Sequence, residues 1–224
     1  MKHMVCIICK EGMFFLKDDL YYCEHCNHVS SNIDPDPSIY DRSYTIKYSR
    51  YEHSELNEKI QNERFLSLPS VESRGRILDF GCGVGSFVNY TNCQSGSEAT
   101  GFDINPYSCY CNIEYLFKYK YSTLTLWDSI EHLRNPAFII NGINPKHLVV
   151  STPCTDDSSH LDLTKWKHYM PNEHCHYFSQ QSLLALFKLL GFVPYTVNFN
   201  ESKHRIGDGK KNIITIGGTR ETTS

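Results

Sequence analysis

The sequence lacks any long apolar run and has little excess of charge of either sign. No stretch approaches the roughly 20 apolar residues that span a bilayer, so we expect no membrane contact. The formal net charge of 224 residues is −3, which gives no general attraction to nucleic acid or anionic lipid. The amino terminus has no apolar stretch typical of a secretory signal. These absences favour a cytoplasmic protein.

Cysteine, by contrast, is frequent, with ten residues. In a reducing compartment they are expected to be thiols or metal ligands. Four of them form two Cys-x-x-Cys pairs, 13 residues apart. Two such turns place four thiolates around one tetrahedral zinc ion, and so small a module needs the metal to fold. We therefore predict a structural zinc ribbon over residues 1–32, with Cys6, Cys9, Cys23 and Cys26 as ligands.

Two other interpretations of the cysteine pairs stay open. They are a redox disulfide pair and a hairpin without metal. Three nearby histidines are alternative ligands, although we expect them to be solvent-exposed neighbours: His3, His25 and His28.

Residues 33–69 are predicted to be a linker followed by an amino-terminal helix. Asp34-Pro35-Asp36-Pro37 favours extended, turn-rich chain, and a helical pattern from 53 to 68 ends at Pro69. Between them lie tyrosines spaced by about four residues. They indicate either an aromatic stripe that packs the ribbon against the main domain or a flap over a ligand site: Tyr40, Tyr44, Tyr48 and Tyr51.

A glycine-rich turn follows the apolar segment 76–80. The run Gly81-x-Gly83-x-Gly85 is typical of a sharp strand-to-helix turn where a ligand approaches the backbone. Asp79 would end the first strand, and Asp103 ends a second strand 24 residues later. An acid at that distance binds the ribose hydroxyls of a nucleoside in such folds. A dinucleotide site is the alternative, although the Gly-x-Gly-x-x-Gly fingerprint is absent.

In combination, four segments resemble class I S-adenosylmethionine-dependent methyltransferases, in particular the methyltransferase-23 or UbiG-like subgroup. Residues 78–85 and 101–104 resemble the first two motifs of that family. Residues 126–133 match the segment after its fourth strand, and residues 173–192 match a later block. The resemblance covers about residues 75–217.

This resemblance implies an α/β fold, with a Rossmann-like sheet of seven strands whose last strand is antiparallel, over residues 70–224. The third, edge strand is expected at 109–113. The implied cofactor is S-adenosylmethionine, and the residues near adenine in the shortened segment 104–122 stay open. The expected cofactor-binding residues are Asp79, Gly81, Cys82, Gly83, Gly85, Asp103, Ile104, Asp128 and Ser129.

The polar, aromatic and histidine-rich insert at 154–178 is expected to form the acceptor site, since long loops in compact domains are usually functional. We expect it to be irregular, with Trp166, Tyr169 and Tyr177 as aromatic walls. A surface excursion packed by its own aromatic rings, or a metal site at His174-Cys175-His176, are the alternatives. A hydroxyl acceptor would need a general base, for which the candidates in order are His174, His132 and His176.

The sequence thus predicts an enzyme that transfers a methyl group to a small polar acceptor, such as the hydroxyl of a sugar or another metabolite. The first alternative is a nucleic acid or protein acceptor docked by the ribbon. The second is a scaffold that binds the cofactor without turnover. The oligomeric state is not indicated by the sequence.

Overall fold

The computed structural model describes residues 4–50, 52–108, 110, 112–156, 162–205 and 211–221. Some residues considered above lie outside this part of the chain, namely His3, Tyr51, Cys109, Cys111, Asp157 and His160. None of the helices in the described part is long and apolar enough to cross a membrane.

The amino-terminal module is built of four short antiparallel strands. They are β1 (Met4–Val5), β2 (Gly12–Phe15), β3 (Leu20–Cys23) and β4 (His28–Ser31). Asp18 and Asp19 both adopt left-handed backbone conformations and form the turn between β2 and β3. All four strands fall within the span predicted for the ribbon.

Three helices connect this module to the main sheet. They are α1 (Arg42–Ser49), α2 (Glu55–Leu66) and α3 (Val71–Arg74). Ser54 caps α2 by accepting a hydrogen bond from the Asn57 amide at 3.1 Å, which satisfies an otherwise unpaired donor at the helix start. The single turn α3 leads directly into the main sheet.

The main domain contains a sheet of six strands in the described residues. Its strands are β5 (Arg76–Phe80), β6 (Glu98–Phe102), β7 (Thr123–Trp127), β8 (His147–Pro153), β10 (Phe192–Asn198) and β11 (Ile213–Arg220). A further short strand, β9 (His176–Tyr177), lies outside it. The helices between the strands are α4 (Ser86–Asn92), α5 (Glu114–Lys118), α6 (Pro136–Ile143) and α7 (Gln180–Leu189).

The strand order is β10-β11-β8-β7-β5-β6. Strands β5 to β8 run parallel, whereas the last strand, β11, is antiparallel to both of its neighbours. The predicted Rossmann-like sheet with an antiparallel last strand is therefore confirmed. Strand β8 is buried along its whole length, as expected for a strand covered on both faces.

The expected seventh strand at 109–113 is not formed by the residues that the structure describes there. Tyr110, Asn112 and Ile113 lie in turns or irregular backbone. The chain folds back instead, because the Asp103 amide donates to the Tyr110 carbonyl at 3.1 Å. This return places the Tyr110 ring against the glycine turn rather than extending the chain beside β6.

Strand β9 joins the two parts of the molecule. It pairs with β4 through Val29 opposite Tyr177 and Ser30 opposite His176, and so becomes the fifth strand of the amino-terminal sheet. The insert after β8 is therefore tied to the amino-terminal module by backbone hydrogen bonds.

Candidate active site

A cavity of about 310 Å³ opens at the carboxyl ends of β5, β6 and β7. This is the edge of a parallel sheet where such folds bind ligands. Eight of the nine predicted cofactor-binding residues line it: Asp79, Gly81, Cys82, Gly83, Asp103, Ile104, Asp128 and Ser129. Gly85, the ninth, begins α4 directly behind the turn.

The glycine turn has no room for side chains at two positions. A Cβ atom on Gly81 would lie 2.3 Å from the Ser129 hydroxyl oxygen, and one on Gly85 would lie 2.1 Å from the Tyr110 ring. Both glycines also adopt positive φ angles, of 80° and 84°, which other residues rarely reach. At Gly83 nothing lies within 4 Å of the Cβ position, so that part of the turn leaves space for a ligand.

The two acids at the strand ends have different surroundings. Asp103 accepts hydrogen bonds from the amides of Gly83 at 2.6 Å and Asn105 at 2.8 Å, so it holds the glycine turn in place. Asp79 is buried and accepts a hydrogen bond from Thr125 Oγ1 at 2.8 Å. Burial raises the pKa of Asp79 to about 7 and also raises the pKa of Asp103.

Asp128 is held by two guanidinium groups. Arg64 of α2 reaches it at 2.7 Å and Arg205 at 2.5 Å, and both arginines also pair with Glu201. Although burial opposes ionisation, Arg205 and Arg64 hold the pKa of Asp128 below its usual range. Arg64 lines the cavity and covers the Trp127 ring at 5.2 Å.

The sequence interpretation missed Arg64. It lies on the last turn of a helix whose pattern only indicated an apolar stripe, and no motif marks it. Its role depends on the packing of α2 across the carboxyl edge of the sheet, which only the tertiary structure shows.

His132 lines the cavity next to Tyr40 of the linker. Its Nδ1 is 3.0 Å from the Glu173 carbonyl oxygen and 3.2 Å from the Tyr40 hydroxyl. Tyr40 and Tyr44 also line the cavity and meet edge to face, as expected for a flap over the site. Burial lowers the pKa of His132, so its imidazole is neutral at pH 7.

His174 lies against His132, outside the cavity lining. The two rings meet edge to face with their centroids 4.7 Å apart. His174 is only 4% exposed, and burial lowers its pKa to about 3. The structure therefore brings together two of the three predicted histidines, with His132 nearer to the cavity than His174.

His176 lies elsewhere, between the main domain and the amino-terminal module. Its Nε2 is 3.0 Å from the Leu133 carbonyl oxygen and its Nδ1 is 3.2 Å from His28 Nε2. The side chain is buried and does not line the cavity. His28, expected to be exposed, is buried as well, because β9 covers it, whereas His25 is exposed as expected.

The aromatic side chains of the insert do not wall the cavity, contrary to expectation. Tyr177 belongs to a hydrophobic cluster with Leu20, Tyr22, Val29 and Leu163, against which Trp166 and Tyr169 pack. The insert thus buries its rings against the amino-terminal strands. It is also more regular than predicted, since it holds β9 and a 3₁₀ turn at Leu163–Lys165.

The four cysteines of the amino-terminal module converge. All four Sγ atoms lie within 4.8 Å of one another, with Cys6 and Cys26 at 3.6 Å and Cys9 and Cys23 at 3.3 Å. A tetrahedral zinc ion with bonds of about 2.3 Å would separate its sulfur ligands by roughly 3.8 Å. The four thiols are free rather than disulfide-bonded, so their arrangement fits a zinc ribbon.

The family of the chain follows from comparison with known proteins. The family model described as "Methyltransferase domain" matches residues 48–197, about two thirds of the chain and all strands from β5 to β9. The chain belongs to this methyltransferase family. It is accordingly an S-adenosylmethionine-dependent methyltransferase. A comparison with curated proteins finds no match.

Solved structures share the fold of this methyltransferase at low sequence identity. An S-adenosylmethionine-dependent methyltransferase from Thermotoga maritima is 16% identical, with a TM-score of 0.56 over 80% of this chain and 97% of that one. One from Archaeoglobus fulgidus is 17% identical, with a TM-score of 0.53 over 80% and 100% of the two chains. A Haloferax volcanii chain, solved in complex with the Trm112 methyltransferase activator, is 11% identical, with a TM-score of 0.56 over 80% and 97%.

Proposed function

We propose that this methyltransferase transfers the methyl group of S-adenosylmethionine to a hydroxyl group of a small polar acceptor. The observation that carries the proposal is the polar end of the cavity, where His132 and Tyr40 meet under the linker. The linker covers this end with Tyr40 and Tyr44. A concave pocket with aromatic walls and a few polar groups suits a small molecule.

The residues at the other end of the cavity fit the cofactor. Asp103 would accept hydrogen bonds from its ribose hydroxyls, and the space at Gly83 would admit its chain close to the backbone. Arg64 brings a guanidinium group into the lining, which suits the carboxylate of the methionine portion. The bound cofactor supplies an electrophilic methyl group on a sulfonium ion.

The chain's own contribution is to align the acceptor and to receive its proton. Alignment of two reactants contributes a large part of the lowering of the activation barrier by an enzyme. His132 is the proposed base because it lines the cavity and is neutral at pH 7, since burial lowers its pKa. Its Nδ1 is hydrogen-bonded to the Glu173 carbonyl, so Nε2 is the nitrogen that would receive the proton of the substrate hydroxyl. His174, behind it, would keep that ring in place.

We further propose that the amino-terminal module binds one structural zinc ion through Cys6, Cys9, Cys23 and Cys26. The convergence of the four thiols supports this proposal. The ion would supply folding free energy to a module too small to have a sufficient core of its own.

A second candidate function is methylation of a nucleic acid or protein docked by the ribbon. It is favoured by two large apolar side chains on β2, Phe14 and Phe15, which are 58% and 61% exposed. Exposed apolar groups of this size are typical of contact surfaces when they lie together.

One labelling experiment separates the two candidates. The protein is incubated with S-adenosylmethionine that carries a labelled methyl group and with a cell extract divided into small-molecule and macromolecular fractions. We expect the label in a small polar compound, and no label with the Asp103→Ala variant. Label confined to protein or nucleic acid would overturn the first proposal and support the second.

A further inference from the structure

Three side chains beside the cavity form a second group of potential metal ligands. Glu131, His132 and His174 each offer one ligand atom, and these three atoms lie within 4.8 Å of one another. Glu131 and His132 belong to the 3₁₀ turn that follows β7, whereas His174 comes from the end of the insert. The fold thus brings two distant segments to one point.

Each of these three side chains also has a hydrogen-bond partner outside the group. Glu131 accepts a hydrogen bond from Thr152 Oγ1 at 2.9 Å, and His132 Nδ1 faces the Glu173 carbonyl at 3.0 Å. His174 is hydrogen-bonded to the backbone of His168. Metal-binding imidazoles usually donate their other ring nitrogen to a carbonyl or carboxylate, which fixes the tautomer and the ring orientation.

The three side chains have hydrogen-bond acceptor atoms left over, and these atoms lie close to one another. An imidazole whose one nitrogen donates to a carbonyl presents a lone pair at its other nitrogen, and an ionised carboxylate only accepts. Glu131 and His174 are buried, and His132 is half-buried. Lone pairs that converge away from water repel one another unless a proton or a cation lies between them.

We propose that Glu131, His132 and His174 bind one divalent first-row transition-metal cation. Two imidazoles and one carboxylate suit such an ion and leave further coordination positions open. The site differs in chemistry from the four thiols of the ribbon, which select zinc. It also differs from the alternative metal site at His174-Cys175-His176, because His176 Nδ1 contacts His28 of the ribbon and Cys175 Sγ donates to the His132 carbonyl.

The cation would act on the acceptor, and this part of the inference rests on the proposed function. His132 lines the cavity, so an open coordination position on that side faces the space assigned to the acceptor hydroxyl. A hydroxyl bound to a divalent cation is more acidic than a free one. With the ion bound, His132 acts as its ligand, the acidified hydroxyl releases its proton to solvent, and the ion takes the place of the base in the proposed methyl transfer.

The test uses manganese(II), which prefers oxygen and nitrogen ligands to thiolates. Zinc-loaded full-length protein, without cofactor, is titrated with Mn²⁺, and the free ion is followed by its electron paramagnetic resonance signal. We expect one bound Mn²⁺ per chain. Glu131→Gln and His132→Ala should each weaken binding by more than about 10- to 100-fold, since even the loss of an outer-shell partner of a metal ligand costs that much. The exposed ribbon variant His25→Ala should bind as the wild type does.

Two results would overturn the inference. One is a wild-type protein that leaves the Mn²⁺ signal unchanged, and the other is undiminished binding by the His132→Ala variant. If Glu131→Gln fails to fold, the half-buried His132 still provides the decisive variant. Calorimetry with S-adenosylhomocysteine and the labelling experiment are run on the same protein. Cofactor binding and methyl transfer without Mn²⁺ binding would reject the cation site alone, whereas Mn²⁺ binding without methyl transfer would reject the proposed function alone.

Discussion

His28 Nε2 lies 3.2 Å from His176 Nδ1, and this contact joins the amino-terminal module to the methyltransferase domain. On one side, His28 Nδ1 is 3.6 Å from Cys6 Sγ. On the other, His176 Nε2 reaches the Leu133 carbonyl at 3.0 Å, next to His132 in the chain. A line of contacts therefore runs from the proposed zinc site to the acceptor end of the cavity.

The first prediction concerns the metal content of the ribbon. Protein purified without added metal should contain one zinc ion per chain by elemental analysis, because four thiolates converge in a module that needs a metal to fold. Cys23→Ser should lose the ion. Cys93→Ser, at an exposed free cysteine, is the matched control and should keep it. Four freely titratable thiols in the native protein would contradict this prediction.

The second prediction follows the contacts between ribbon and insert. Trp166 packs edge to face against Tyr177 of β9 at 6.3 Å, and β9 pairs with β4. Removal of zinc by a chelator should loosen this pairing and shift the tryptophan emission to longer wavelength. The sequence has two tryptophans, so Trp166→Phe should abolish the shift and Trp127→Phe should preserve it. A shift that persists in Trp166→Phe would show that the ribbon and the insert are not coupled.

The glycine turn and its two acids could be predicted from sequence because their determinants are local. A strand, a turn with positive φ angles and a helix follow one another within about fifteen residues, and only glycine fits at Gly81 and Gly85. The acid at Asp103 follows at the distance that the strand–helix–strand unit imposes. Parallel pairing of β5 with β6 then brings both acids to one edge of the sheet.

The surroundings of His132, proposed here as the acceptor end, could not be predicted in the same way because they depend on long-range pairing. Nothing in the sequence around Tyr177 indicates that it lies opposite Val29. That pairing turns the aromatic side chains of the insert toward the ribbon and leaves His174, not His176, beside His132. The side chain of Arg64 reaches Asp128 for a similar reason, since the contact joins residues 64 positions apart.

The third prediction tests the ribose contact. Asp103→Ala should weaken S-adenosylhomocysteine binding at least tenfold in calorimetry. The reason is that charge-assisted hydrogen bonds are worth roughly 1.5–3 kcal/mol and about 1.4 kcal/mol is a factor of ten. The loss of the Gly83 contact adds to the effect. Glu98→Ala, at the exposed start of strand β6, which Asp103 directly follows, should bind the cofactor product normally. Unchanged affinity in Asp103→Ala would place the ribose elsewhere.

The fourth prediction concerns the pH dependence of stability. Burial raises the pKa of Asp79 to about 7, so the native protein holds this proton more tightly than the unfolded chain, where the pKa is about 4. The contribution of Asp79 to the free energy of unfolding is therefore largest below pH 4, falls as the pH rises to about 7, and then levels off.

Comparison of wild type with Asp79→Asn isolates that contribution. The variant cannot ionise at this position, so the stability difference between the two proteins should change with pH by at most about 1.4 kcal/mol per unit. Urea unfolding between pH 4.5 and 8 measures it. The change should favour the variant as the pH rises. A difference that is constant over this range would show that the carboxyl of Asp79 is not perturbed in the native protein.

The last prediction separates the two histidines at the acceptor end. His174 touches His132 and lies outside the cavity lining, so His174→Ala should leave S-adenosylhomocysteine affinity near wild type, whereas the loss of a buried ring should lower the thermal midpoint. Turnover on the acceptor fraction that takes the label should fall, but by less than the roughly 10²- to 10⁴-fold expected for loss of a general base, because His132 remains. His204→Ala, a variant at a partly exposed histidine paired with Glu63, serves as the control and should keep its turnover.

The pH profile of the remaining activity then distinguishes the possible roles of His174. A profile with the wild-type shape and a lower plateau indicates that His174 only positions His132, whereas a displaced profile indicates that it contributes to the ionisation on which turnover depends. Full turnover in His174→Ala would remove His174 from the mechanism and leave His132 as the base. Loss of cofactor affinity together with turnover would instead assign His174 to the cofactor side of the cavity.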